Sequence, residues 1–171
     1  MTVSDDVDLE MGETTRRVLA LSNDVRSATL DVVKSARRSL SIFSHDLDPS
    51  VYDRIEFLDA VKKLILTHKF SRIQILIISP VGAVKNGHRL IELARRFSTF
   101  FEIRRVNPEY AKRNDAFLIA DETGVVYRLN SKRWEGIADT NAPRIAQKYL
   151  DLFEEAWQRS EPEPEFRQLM I

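Results

Sequence analysis

The chain has 171 residues, 43% hydrophobic and 30% charged, which suits one globular domain with a sizeable core. It contains no cysteine, so disulfides and thiolate metal sites are excluded, and no apolar run approaches the ~18 residues of a transmembrane helix. The formal net charge of zero is unevenly spread: residues 1–13 hold five acids and no base, residues 161–171 three acids and one base, leaving 25 bases against 18 acids in 14–160.

Such a basic body suits anionic partners, and it suits helices with solvated outer faces equally well. The opening MTVSDDVDLEMGET lacks the basic and apolar regions of a signal peptide. A cytoplasmic protein without membrane attachment is the expectation.

In chain order, residues 1–14 read as an acidic disordered tail. Residues 16–21 read as an edge strand. A helix follows over 24–38, with Val25, Ala28, Val32 and Ala36 at spacings of three and four. Residues 40–44 alternate as a strand does, and 45–49 form a loop. Asp53 stands three residues before Glu56, the spacing of a capping box, so a helix is expected from there to His68. Residues 72–78 are nearly continuously apolar, as in a strand buried on both faces. A third helix spans 83–97 and a strand 100–106. Residues 116–120 and 125–129 form a hairpin whose turn holds Asp121 and Gly124. Residues 130–142 read as a loop, and Pro143 opens a last helix ending near Arg159. The domain is therefore expected over 15–160, with 161–171 as a tail. Helices interleaved with strands imply an α/β sandwich with a mixed sheet.

No P-loop, GxGxxG, HExxH or GxSxG is present. His88 and Arg89 follow Gly82 and Gly87 at a helix start, where free N–H groups can receive an anion. His45, Asp46 and Asp48 are metal-ligand types, yet they read more simply as a capped loop leading to Pro49, so no metal or cofactor is expected. His68 reads as a surface residue at a helix C-terminus. Arg104 and Arg105 must point to opposite faces of their strand. Arg113 and Arg128 bracket residues 114–121 and can form a phosphate clamp. Tyr127 and Trp134 read as packing residues that can also stack on bases.

The segment Asn114-Asp115-Ala116-Phe117-Leu118-Ile119-Ala120-Asp121 resembles the H-x-K-x₄-D motif of the phospholipase D superfamily. Asn114 stands in the histidine position and Ala116 in the lysine position. The order of elements is also similar to one half of a phospholipase D-like protein of bacterial type, over residues 28–157. Residues 30–42 look like the family's opening helix and strand, and Phe153 and Trp157 share its terminal F-x₃-W spacing. The Gly-Ser-x-Asn segment of the family is not matched, since only Asn130 and Ser131 stand there.

The resemblance implies a phospholipase D-like sandwich with a mixed, mostly parallel sheet flanked by helices on both faces. In that family the histidine attacks phosphorus and the lysine stabilises phosphoryl charge. Asparagine and alanine do neither, so no catalysis is expected. Two motifs normally complete one site and this chain has one, which implies a homodimer. The expected role is a binding or regulatory module for phosphate, nucleic acid or a protein partner. Its ligand-binding candidates are Asn114, Asp121, Arg113, Arg128, His88 and Arg89. The alternatives are a purely structural or regulatory domain, and a divergent hydrolase that uses His45 or His88 with Asp121.

Overall fold

Parallel strands need a crossover of a dozen or more residues, whereas antiparallel neighbours need only a turn. This chain uses both. The computed structural model describes residues 15–166 and orders its strands in one sheet, β1-β7-β6-β5-β2-β3-β4-β8. The strands are β1 (Arg17–Leu19), β2 (Ser39–Ser44), β3 (Arg72–Ile77), β4 (Phe101–Arg105), β5 (Ala116–Ala120), β6 (Gly124–Arg128), β7 (Gly136–Asp139) and β8 (Glu161–Pro162). The helices are α1 (Ser22–Ser35), α2 (Pro49–Tyr52), α3 (Ile55–Thr67), α4 (Val81–Lys85), α5 (Arg89–Arg96) and α6 (Pro143–Arg159). The expected acidic tail, 1–14, lies outside the described residues.

The sheet is mixed but mostly antiparallel, which corrects the parallel expectation. Helical crossovers join β2, β3 and β4, and only those neighbours run parallel. Beyond residue 115 the chain turns back directly, so β5, β6 and β7 form an antiparallel meander. A four-residue strand, β7, replaces the expected loop. Gly136 starts it against β6, where a Cβ would lie 2.0 Å from the Tyr127 carbonyl oxygen, so only glycine fits.

Strand alternation sends side chains to two cores. Leu40, Ile42, Ile73, Ile75 and Leu118 pack under α1, α3 and α5. Phe43, Leu76, Phe117 and Ile119 pack under α6 with Phe153 and Trp157. Burial of each such side chain contributes about 1.5–3 kcal/mol. Helices therefore cover both faces, as expected.

Three local expectations change. Asp53 does not cap α3; it ends α2, and the residue before α3 is Arg54. The third helix breaks into α4 and α5 because Gly87 adopts φ 64° and His88 caps α5. Past residue 160, β8 pairs with β4 and Phe166 is buried, so the fold continues beyond the expected boundary.

Candidate functional site

Strand directions sort the candidate residues. The ends of β2, β3 and β6 and the start of β5 share one end of the sheet. Residues 45–48, 113–116 and 128–134 therefore gather there, with α2 and the start of α5. Asp121 follows β5 and so lies at the opposite end.

At the gathered end, the Asn114 side chain is exposed, and the backbone carbonyl of Asn114 accepts the Ser131 N–H at 2.7 Å. Ala116 is buried and faces Arg128 directly across the β5–β6 ladder. Arg128 is only 3% exposed. Its Nη1 donates to the carbonyls of Arg133 at 3.1 Å and Ser131 at 3.4 Å, and its guanidinium lies 5.2 Å from the Trp134 ring centre. Arg128 thus holds the 131–134 loop shut. Buried Tyr52 shares this region, and burial pushes its hydroxyl up to about 12.

Arg113 points to the other face. Its Nε and Nη2 donate to the Asp115 carboxylate at 3.0 and 2.5 Å, and Tyr127 Oη donates to the same carboxylate at 3.0 Å. That hydrogen-bonded carboxylate holds Arg113 above the usual arginine range. Burial first, then the Tyr149 hydrogen bond and the Asp115 charge, raise Tyr127. Tyr127 also stacks on Tyr149 of α6 with ring centres 4.5 Å apart. Arg113 and Arg128 consequently do not form the expected clamp: Arg113 shares the Asp115 carboxylate with Tyr127, and Tyr127 and Arg128 are adjacent residues of β6 that project to opposite faces.

His88 is 3% exposed. Its Nδ1 accepts the Leu90 N–H at 3.1 Å, so the ring proton is on Nε2, which donates to the Leu47 carbonyl at 2.9 Å. Both nitrogens are engaged, and burial pushes its pKa below the ordinary 6.5. Leu47 itself adopts φ 55°, so His88 latches a strained turn to the start of α5. Arg89 donates to the Asp53 carboxylate at 2.6 Å and to its carbonyl at 2.9 Å. The Asp48 carboxylate caps α2 through the Ser50 N–H at 3.0 Å and hydroxyl at 2.7 Å. Among the described residues, no three His, Asp or Glu side chains are grouped to hold a metal ion.

The Asp121 carboxylate accepts the backbone N–H groups of Arg38 at 2.8 Å, Ser39 at 3.0 Å and Arg37 at 3.1 Å. It cannot pair with His45 or His88, which belong to the other sheet end. Sequence reasoning missed the cationic segments that do meet beside Asp121, residues 37–38 and 68–72. Their one signal was the paired bases at 37 and 38, which read as helix-end residues.

This mixed sheet, with its two parallel crossovers, its C-terminal meander and α6 on the second face, is a phospholipase D-like fold. Residues 21–169 match a domain of unknown function, DUF7931, and the chain belongs to that family. Its fold is similar to the phospholipase D family member Nuc from Salmonella typhimurium, with TM-score 0.64 and 14% identity over 88% of this chain and 99% of that one. NucT from Helicobacter pylori superposes with TM-score 0.64 and 14% identity, over 88% of this chain and 100% of that one. TrmBL2, an archaeal chromatin protein with a novel mode of DNA binding, gives TM-score 0.63 and 14% identity over 95% of this chain. The chain spans 62% of that protein's length. No curated protein sequence matches. No helix among the described residues is long and apolar enough to cross a membrane.

Proposed function

We propose that this domain is a non-catalytic phospholipase D-like module that binds an anionic ligand and acts as a homodimer. One observation carries the reading. At the sheet end that holds Asn114, three of the side chains suited to phosphoryl chemistry are engaged within the chain: His88 through both ring nitrogens, Arg128 through loop carbonyls, Arg113 through Asp115, while His45 is exposed. Asn114 and Ala116, at the positions of the family's histidine and lysine, supply neither a nucleophile nor a charge.

The basic excess in residues 14–160 supports an anionic partner. So does the likeness to TrmBL2, which binds DNA. The homodimer is supported by Val81 and Leu129, 62% and 69% exposed, which follow β3 and β6 at the Asn114 end of the sheet.

The test is an assay on bis-p-nitrophenyl phosphate and on single-stranded DNA, with and without divalent metal ions. Loss of acid–base and nucleophilic groups removes at least ~10²–10⁴ in rate, so no turnover above background is expected. Turnover that disappears in His45→Ala or His88→Ala would instead establish a hydrolase with relocated groups.

A further inference from the structure

β2 and β3 are parallel neighbours in which Ser39 pairs with Arg72. The segments that lead into them, after α1 and after α3, therefore enter side by side. The Arg72 N–H donates to the Arg38 carbonyl at 2.8 Å and ties the two together. An open cleft of about 650 Å³ lies here, lined by Arg37, Arg38, His68, Lys69, Phe70 and Arg72 among others. It is at the opposite end of the sheet from Asn114.

The electrostatics of this cleft differ from those of the Asn114 end. No acid lines it. The neighbouring carboxylate, Asp121, is turned to the backbone N–H groups of residues 37–39. The side chains of Arg37, Arg38, Lys69 and Arg72 make no ion pair with any described residue, in contrast to Arg89 and Arg113. Four cations thus converge without internal neutralisation, and guanidinium forks match phosphate oxygens.

The same cleft presents Phe70, 84% exposed on the turn between α3 and β3. It is the one aromatic among the strongly exposed large apolar side chains of the described residues. The Lys69 ammonium sits 5.1 Å from its ring centre. Beside it, Ser71 is 3% exposed, and its Oγ has no hydrogen-bond partner among the described residues.

We propose that this cleft binds single-stranded nucleic acid, with phosphates between the Arg37–Arg38 and Lys69–Arg72 walls and a base stacked on Phe70. Backbone-tracking cations beside an aromatic platform are the two parts that single-strand binding needs. A duplex keeps its base faces stacked inside and gives Phe70 no partner. The inference rests on the anion-binding reading above and assigns its ligand and location.

The experiment is fluorescence anisotropy of a short labelled oligothymidylate against the full chain at several salt concentrations. Arg38→Ala with Arg72→Ala should weaken binding at least tenfold and lower the salt slope by about 1.4, at ~0.7 per phosphate contact on a single strand. Phe70→Ala should weaken it about tenfold while leaving the slope unchanged. Arg144→Ala with Lys148→Ala, exposed on α6, should bind as the parent does. All these side chains are exposed, so thermal melts should match and show that the variants fold. If the cleft variants bind as tightly as the parent, and Arg113→Ala weakens binding instead, the site is at the Asn114 end; the inference fails and the anion-binding reading survives. Equal binding of duplex and single strand, indifferent to Phe70→Ala, overturns the single-strand assignment. If the parent binds no oligonucleotide at low ionic strength the inference fails, and a parallel titration with inorganic phosphate and pyrophosphate decides the anion-binding reading separately.

Discussion

Ala116 and Arg128 face each other directly across the β5–β6 ladder, and the small side chain of one leaves room for the buried guanidinium of the other. Cross-strand partners hold their Cβ atoms about 4.5–5.5 Å apart, and like charges at such positions repel. A lysine at 116 would meet an arginine already committed to the 131–134 loop. Substituting Asn114→His with Ala116→Lys should therefore create no diesterase activity and should cost about 3 kcal/mol of stability. Urea unfolding and a diester assay on the double variant check both halves. Turnover in that variant would show that only the two motif side chains were missing.

Asp121 is expected to matter for stability. Its carboxylate satisfies three backbone N–H groups where α1 gives way to β2, and hydrogen bonds to a charged group contribute about 1.5–3 kcal/mol. Asp121→Ala should destabilise by about 2–3 kcal/mol in chemical denaturation. Asp121→Asn keeps an acceptor and tolerates the positive φ of 55° here, so it should lose less. Equal losses in the two variants would assign the effect to the carboxylate charge, which both remove, rather than to the backbone conformation.

His88 should make stability depend on pH. Its folded pKa lies below the 6.5 of a free histidine because burial disfavours the charged ring. The folded state thus binds fewer protons, so the contribution is fully present above about pH 6.5 and is lost as pH falls through the folded value. Asp53 and Asp46 oppose the shift while Arg89 adds to it. His88→Asn keeps a side chain that can cap α5 and removes the titration. Urea midpoints taken from pH 7.5 down to about 5 should fall more steeply for the parent than for this variant, with His45 and His68 common to both. Parallel curves would show that His88 binds protons equally in the folded and unfolded chain, and so that burial does not lower its pKa.

The homodimer is read out by light scattering during size exclusion, where a species of about twice the 19.8 kDa chain mass is expected. Leu129→Glu with Val81→Glu should shift the population toward the monomer without changing the melt of the isolated fold. A parent that stays monomeric across the micromolar range would remove the dimer from the proposed function.

The longer helices and strands and the layer architecture are legible in the local pattern of residues. The apolar periods of residues 72–77 and 116–120 and the stripe on Pro143–Arg159 are strong enough to place strands and helix without tertiary help. The motif-like segment around Asn114 led to the right fold. Short polar pieces escaped, because β7 and β8 are strands only through the neighbours that pair with them. Sheet direction and the fate of each charge were tertiary decisions. Arg113, Arg128, His88 and Arg89 looked available in the sequence, and each found an internal partner once the chain closed. Arg37 and Arg38 fell at the end of the expected helix over 24–38, Arg72 at the start of the expected strand over 72–78, and Lys69 between elements. They became one basic cleft because parallel pairing of β2 and β3 brings together two strand entries that the sequence keeps over thirty residues apart. Hydrophobic period is a local property of a chain, whereas convergence of charge depends on which distant segments become neighbours.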